Sequence, residues 1–202
     1  MAASPGVPTP PYPVNVEFER GLDVPNWRPL VNWLLVIPHI IVLSVLQLVY
    51  GILAVVSFFT VLFTKRVPDG IFGVQAMIDR YSWRVTTFHL FMGDEYPPFS
   101  FATTAADDGI YPARYSIEDP GEMNRWLPLI KWLLVIPHYI VLLFLFIGVA
   151  VVALISFFVV LFTGKYAEGM RNYIIGAERW ALRVSAYATY RTDVYPPFRL
   201  NA

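Results

Sequence analysis

Two stretches of this chain, at 33–64 and 132–163, run for 32 residues without an aspartate, glutamate, lysine or arginine. Uncharged apolar stretches longer than about 18 residues are typical of membrane segments. A straight helix of this length would measure about 48 Å, whereas the hydrocarbon core of a bilayer is about 30 Å thick. We therefore expect an integral membrane protein in which each stretch bends, tilts or turns back.

The composition agrees with a membrane protein. Hydrophobic residues make up 56% of the 202 residues and charged residues 15%, whereas a soluble domain has about 25% charged residues. The formal net charge is zero, so no basic excess predicts a nucleic-acid partner. Cysteine is absent, which excludes disulfides, thiolate metal sites and cysteine nucleophiles.

The two stretches belong to an internal repeat. Shifting the sequence by 99 residues aligns 12–101 with 111–200 without a gap and gives 34 identities in 90 positions. The matched blocks include WLLVIPH, SFF, VLFT and YPPF. Such a duplication predicts two copies of one structural unit. We divide the chain into a tail predicted to be disordered (1–11), repeat 1 (12–101), a linker (102–110) and repeat 2 (111–202).

Each repeat has the same order of predicted elements. Alternating apolar and polar residues at 14–19 and 113–118 predict a short strand, which we expect to pair near 100–104. A long bent or hairpin hydrophobic helical segment follows, and then an amphipathic helix at the membrane interface. The YPPF block is extended, because two prolines cannot continue a helix. The expected fold class is an all-α integral membrane protein of two tandem repeats.

Two paths are open to each apolar run. In the first, Pro38 and Pro137 mark a kink or a first helical turn and the run crosses the bilayer once, which inverts the repeats relative to each other. In the second, the run turns back near 47–51 or 146–148 as a hairpin. The central segment 65–131 holds 7 of the 15 basic residues, and this even distribution favours the hairpin.

Four arginines form two i, i+4 pairs on the predicted amphipathic helices: Arg80, Arg84, Arg179 and Arg183. Charged residues at mid-membrane cost about 2.5 to 3.5 kcal/mol each, so these helices are expected to lie in the interface with Gln75 and other polar residues exposed. Guanidinium groups bind phosphate, which favours contact with anionic lipid headgroups or with a protein partner. The alternative is a solvated face or an internal salt bridge to Glu19 and Glu118.

His39 and His138 are equivalent ionisable residues within the apolar runs. Meeting at a two-fold axis, they would ligate a haem or a chlorin through imidazole nitrogen. The alternative is that each histidine hydrogen-bonds backbone or water near the headgroups. Because no carboxylate lies near them in sequence and no cofactor motif is present, the sequence favours the alternative and predicts no cofactor.

The sequence has no G-x-S-x-G, P-loop or H-E-x-x-H motif, so we do not expect an enzyme. Small residues such as Gly51 and Gly148 offer close-approach surfaces for other helices. We expect a non-catalytic scaffold or accessory subunit that binds membrane lipid and protein partners, in a complex or as a homo-oligomer. The alternatives are a small transporter or channel-like protein and a haem or chlorin carrier.

Residues 126–198 contain W-L-P-L-x-K-W-L-L-x-I-P-H, an apolar run, L-F-T-G-x-Y-x-x-G, R-W-x-x-R-V-x-A-Y and T-D-x-Y-P-P-F. This order resembles the bacterial membrane family DUF4389, a domain of unknown function, and the resemblance covers both repeats. It implies a bacterial inner (cytoplasmic) membrane location, which we expect to be multi-pass, and it implies no activity. Repeat 1 departs from the pattern at 64–68 and has Tyr81 in place of the usual tryptophan.

Overall fold

The computed structural model describes residues 12–201, and the predicted disorder of 1–11 lies outside that range. Each repeat contributes one strand and three helices. Repeat 1 contains β1 (Val14–Phe18), α1 (Arg28–Leu35), α2 (Ile37–Thr64) and α3 (Asp69–His89). Repeat 2 contains β2 (Ala113–Ile117), α4 (Pro128–Leu134), α5 (Ile136–Thr163) and α6 (Glu168–Ala188). The protein is mostly helical, as predicted.

Most of each apolar run forms one continuous helix of 28 residues, so the hairpin prediction is wrong. A turn in the middle of the run would break hydrogen bonds between helical backbone groups, and few polar side chains are near enough to replace them. The helices are interrupted instead at Val36 and Val135, directly before α2 and α5. Pro38 and Pro137 then occupy the first helical turn, where a missing amide hydrogen costs no internal hydrogen bond.

The residues that follow α2 and α5 have left-handed backbone conformations, with φ angles of 59° at Lys65 and 66° at Gly164. A left-handed residue at this position stops a helix and redirects the chain. A Cβ added to Gly164 would lie 2.5 Å from Oδ1 of Asn26. Glycine adopts this conformation without strain, and it also leaves room for the Asn26 side chain, whereas Lys65 holds the same conformation in repeat 1.

α3 and α6 run back along the long helices and are covered on two sides. Val36, before the start of α2, shares an apolar cluster with Phe88 at the end of α3, and Tyr50 at the centre of α2 shares one with Ile78. On the opposite side of α3, Trp83 Nε1 donates to a carbonyl oxygen of β1 (3.0 Å). The predicted exposure of the polar face of α3 is therefore wrong. Its polar residues are buried: Gln75, Asp79, Arg80, Arg84 and Thr87.

β1 and β2 pair with each other as an antiparallel two-stranded sheet, in which Val16 lies opposite Tyr115. The alternation of apolar and polar residues predicted both strands correctly. The predicted pairing with 100–104 is wrong, because each strand finds its partner in the other repeat. Val16 and Tyr115 are equivalent positions in the two repeats, so an approximate two-fold axis passes between them.

The protein has three layers. α2 and α5 form the first layer, α3 and α6 the second, and the sheet the third, since α3 packs on both α2 and β2 while α6 packs on both α5 and β1. Two equivalent backbone hydrogen bonds join the repeats: Val24 N donates to Gly164 O (2.9 Å), and Met123 N donates to Lys65 O (2.8 Å). The beginning of each repeat thus contacts the end of the other repeat's long helix, and α2 and α5 run antiparallel.

Candidate functional site

α2 and α5 expose apolar side chains along most of their length. The buried residues of α2, which include His39, Tyr50 and Val61, form one narrow stripe along α3. The other side chains remain exposed, to 67% for Leu48 and 72% for Phe63. We call the exposed side chains of both helices the apolar face: Ile41, Val45, Leu48, Ile52, Phe59 and Phe63 of α2, and their equivalents 99 positions later in α5.

The helices Ile37–Thr64 and Pro128–Thr163 are long and apolar enough to cross a membrane. A core helix of a soluble protein is mostly buried, but only 11% and 17% of the most apolar windows of these helices are buried. Soluble monomers rarely expose a continuous apolar surface on this scale. Exposed tryptophans on or beside α1 and α4 add the residue type that prefers a membrane interface: Trp27, Trp33, Trp126 and Trp132. Together these features support association with a membrane.

The surface on the other side of the molecule is polar. We call the outward side of the sheet the polar face: Asn15, Glu17, Arg114 and Ser116. Arg114 also forms an ion pair with Glu19 (3.0 Å), next to β1. Exposed ion pairs contribute about 0 to 1 kcal/mol to stability. The charges here therefore make the surface compatible with water or with a polar partner and contribute little to the fold.

Arg80 and Arg84 are buried on the side of α3 that meets the linker. Arg84 Nη2 donates to Asp107 (3.0 Å) and to Asp108 (2.7 Å), and Arg80 Nε lies 3.5 Å from Asp107. Repeat 1 therefore has internal ion pairs, but their carboxylates are Asp107 and Asp108 of the linker and not Glu19 and Glu118, which the sequence suggested.

The arginines of repeat 2 donate to backbone carbonyl groups. Arg179 donates to Val16 O from Nε (3.1 Å) and Nη2 (3.0 Å), and Arg183 donates to Asn201 O (2.9 Å). Arg183 is buried, and burial, followed by the charge of Arg179, lowers its pKa to about 10. All four arginines thus have internal contacts, and the open cationic face expected from the sequence is not formed. Their contact with a lipid headgroup or a partner stays a prediction.

A buried polar network joins the repeats, and sequence analysis missed it. Arg191 Nη2 donates to Asp79 Oδ2 (2.6 Å) and to Tyr50 Oη (2.5 Å), and Tyr115 Oη donates to Asp79 Oδ2 (3.0 Å). Burial by itself would lower the pKa of Arg191, but Asp79, Tyr115 and Tyr50 together outweigh burial and raise it. The sequence contained one sign of this network: the repeats differ at this position, where repeat 2 has Arg191 and repeat 1 has Met92.

Glu178 is the repeat-2 equivalent of Asp79 and has a different environment. Met92 occupies the position equivalent to Arg191 and is fully buried in the apolar core. Within residues 12–201 the Glu178 carboxylate forms no ion pair, and burial raises its pKa to about 7. Glu178 is therefore about half protonated near neutral pH, because no cation stabilises its charged form.

His39 and His138 are fully buried, each in an aromatic cluster of its own repeat. The Phe99 ring stacks on His39 with 4.3 Å between ring centroids, and the Phe198 ring stacks on His138 at 4.0 Å. The YPPF block therefore folds back onto the IPH block and closes each repeat. The histidines occupy separate clusters and do not share the common site that a bridging haem or chlorin requires.

The hydrogen bond of His138 also determines which of its ring nitrogens carries the proton. Trp180 Nε1 donates to His138 Nδ1 (3.1 Å), and because an indole nitrogen only donates, Nδ1 carries the lone pair and Nε2 the proton. Ligation through Nε2 would require the other tautomer and the loss of this bond. In repeat 1 the Tyr81 hydroxyl forms a hydrogen bond with His39 Nδ1 (2.6 Å). Because a hydroxyl can either donate or accept, this bond is compatible with both tautomers of His39. Haem or chlorin ligation therefore does not fit His138.

Residues 12–201 contain no group of three or more histidine, aspartate or glutamate side chains that could hold a metal ion. Fold and surface together define a duplicated, mostly helical protein with two helices able to cross a membrane. The chain belongs to the family described as Domain of unknown function (DUF4389), which it matches twice, over 26–100 and 126–199. The resemblance seen in the IPH and YPPF blocks is thus confirmed. A search of curated proteins and a search of solved structures gave no match.

Proposed function

We propose that this protein is a non-catalytic membrane scaffold or accessory subunit, which inserts its apolar face into lipid and offers its polar face to a protein partner. The apolar face carries the proposal, because it is charge-free in both repeats and its side chains, such as Leu48 and Phe63, are largely exposed. Apolar surface in water costs about 25 cal/mol per Å². Lipid removes that cost. The bacterial inner membrane is the membrane we propose.

The interior polar groups support a structural role. Asp79 and Arg191 bond each other, and so do Arg84 and Asp107. The first pair joins the two repeats and the second joins α3 to the linker, so these groups are not free to contact a substrate. A transporter would need a polar path between its helices, whereas α2 and α5 bury mainly apolar stripes against α3 and α6.

Membrane retention tests the first half of the proposal. The double variant Leu48→Glu/Ile147→Glu places one charge at equivalent positions in each repeat, at a cost of several kcal/mol in lipid. The wild-type protein should remain in the membrane pellet after a carbonate wash, and the variant should be released at least about tenfold more readily. Asn15→Glu, on the polar face, is the matched control and should behave like the wild type. A wild-type protein found in the soluble fraction would contradict the proposal.

Photo-crosslinking tests the second half. A benzophenone amino acid at Asn15 should capture a protein, either a stable partner or a second copy of this chain, in intact cells. The same group at Leu48 should capture lipid. Co-purification of the captured protein after mild solubilisation should match the crosslink. A monomer in every mild detergent, with no protein crosslink from Asn15, would exclude the scaffold function.

A further inference from the structure

The sheet lies on the far side of α3 from α2. Ile78 on one side of α3 packs with Tyr50 of α2, while Asp79 on the other side accepts a hydrogen bond from Tyr115 of β2. The same order holds in repeat 2, where α6 separates α5 from β1. Each layer adds about 10 Å, so the polar face is about 20 Å away from the axes of α2 and α5.

The sheet is also level with the centre of α2 and not beyond either end. Tyr50 is near the midpoint of Ile37–Thr64, and it bonds to Arg191, which bonds to Tyr115 of the sheet. If α2 crossed a bilayer, this level would coincide with the bilayer centre. The polar face would then lie at hydrocarbon depth, about 20 Å to the side of the helix.

That placement would put charged groups into lipid. Glu17 and Glu19 of repeat 1 and Arg114 of repeat 2 have side chains between 35% and 63% exposed, and charged residues are among the costliest to place at mid-membrane. A crossing orientation is therefore unfavourable for the sheet whichever end of α2 enters first.

Helix length gives an independent reason. The 28 residues of α2 measure about 42 Å, so enclosing the whole helix in a hydrocarbon core of about 30 Å would require a tilt of about 44°. α5 also has 28 residues, so the same length applies to it. Observed tilts of membrane helices range from about 0 to 40°. A helix that lies in the membrane plane meets no such limit.

We infer that α2 and α5 lie parallel to the membrane plane within a single leaflet, with the apolar face among its acyl chains and the polar face in one aqueous phase. This inference rests on the membrane association proposed above and replaces the multi-pass arrangement expected from the sequence. α2 and α5 share one layer of the fold, so both helices enter the same leaflet. The exposed tryptophans of α1 and α4 lie next to this layer, at the level of the headgroups.

Three single-cysteine variants of this cysteine-free chain test the orientation: Asp69→Cys, Glu168→Cys and Asn15→Cys. Asp69 and Glu168 are equivalent exposed residues that follow α2 and α5. Because α2 and α5 are antiparallel, a crossing orientation places these two residues in opposite compartments. A single-leaflet orientation places all three in the same compartment. An impermeant maleimide applied to sealed vesicles of each sidedness should label all three from the same side.

Labelling of Asp69→Cys and Glu168→Cys from opposite sides would overturn the inference and leave membrane association intact. Failure of the protein to sediment with membranes would instead overturn the proposed function. A second experiment measures how deep three positions along α2 lie in the membrane. A fluorophore is attached to Ile41→Cys, Leu48→Cys or Phe63→Cys, and its quenching is measured with lipids that carry a spin label at a shallow or a deep position. The ratio of shallow to deep quenching should be equal at the three positions. Deepest quenching at Leu48 alone would indicate a crossing helix.

Discussion

In repeat 1, the carboxylate of Asp79 receives hydrogen bonds from Arg191 and from Tyr115, whereas in repeat 2 the equivalent Glu178 lies opposite no basic residue within 12–201. The arginine position of repeat 2 corresponds to Met92 in repeat 1. One copy of the site thus has a paired charge, and the other has a carboxyl group whose pKa is raised to about 7. The two repeats therefore share one frame and differ in their buried charges.

The arginine pairs differ in the same way. Arg80 and Arg84 lie beside linker carboxylates, whereas Arg179 and Arg183 donate to backbone carbonyl groups. The frame residues, by contrast, have equivalent contacts in both repeats. Each IPH histidine stacks on the phenylalanine of its own YPPF block. The apolar and aromatic frame therefore defines the fold of both repeats, and the polar partners distinguish them.

Replacing the buried arginine should have the largest effect. Arg191→Met introduces the residue that repeat 1 has at this position and leaves Asp79 buried without its cation. We expect the free energy of unfolding in detergent to fall by about 3 to 5 kcal/mol, measured by denaturant titration with circular dichroism. Arg199→Met, at an exposed arginine, should change it by less than about 0.5 kcal/mol.

A double variant sharpens this test. Asp79→Asn combined with Arg191→Met leaves no buried charge, so it should recover part of the stability lost in Arg191→Met. Equal losses in the single and the double variant would show that the ion pair is not the reason for the effect. Equal losses in Arg191→Met and Arg199→Met would contradict the buried network itself.

Because the pKa of Glu178 is raised, we expect the free energy of unfolding to depend on pH, with an effect of intermediate size. Its pKa rises from 4.5 in the unfolded chain to about 7 in the folded protein, so the folded state holds more protons between these values. Stability should therefore fall as the pH rises from 4.5 to 7 and level off above 7. The expected loss is about 1 to 3 kcal/mol, because the side chain is only partly buried.

Glu178→Gln removes this titration. Relative to the wild type, the variant should be more stable at pH 8 than at pH 5, as measured by denaturant titration at both pH values. A stability difference that does not change with pH would show that Glu178 does not titrate in this range. Glu17→Gln, on the polar face, is the control, and its difference from the wild type should vary little between the two pH values.

The smallest expected effect concerns the two histidines. Tyr81→Phe removes the hydroxyl that bonds His39 Nδ1 and should lower the free energy of unfolding by about 1 to 2 kcal/mol.

The nitrogen NMR signals of His138 should show only the Nε2–H tautomer at neutral pH, because Trp180 donates to Nδ1. Trp180→Phe should release this preference. A wild-type His138 with its proton on Nδ1 would contradict the assigned hydrogen bond.

The repeat, the two strands and the helical character of the apolar runs could be predicted from the sequence alone, whereas the helix start at Pro38 and Pro137 was one of two alternatives and not the favoured one. These features follow from local rules. Alternation of side chains defines a strand face, proline defines a helix start, and 28 apolar residues form a helix because their backbone groups need partners. The family match at 26–100 and 126–199 was likewise visible in the IPH and YPPF blocks.

Which surfaces are covered depends on tertiary packing and could not be predicted from the sequence. The polar side of α3 has the periodicity of an exposed amphipathic face, yet the sheet and the linker cover it, and Asp79 finds its cation 112 positions away in Arg191. Periodicity reports that a helix has two different sides, but it does not report what lies against each side. The pairing of β1 with β2 and the Asp107 contacts of Arg84 were hidden for the same reason, because each partner lies outside the repeat unit in which the pattern is read.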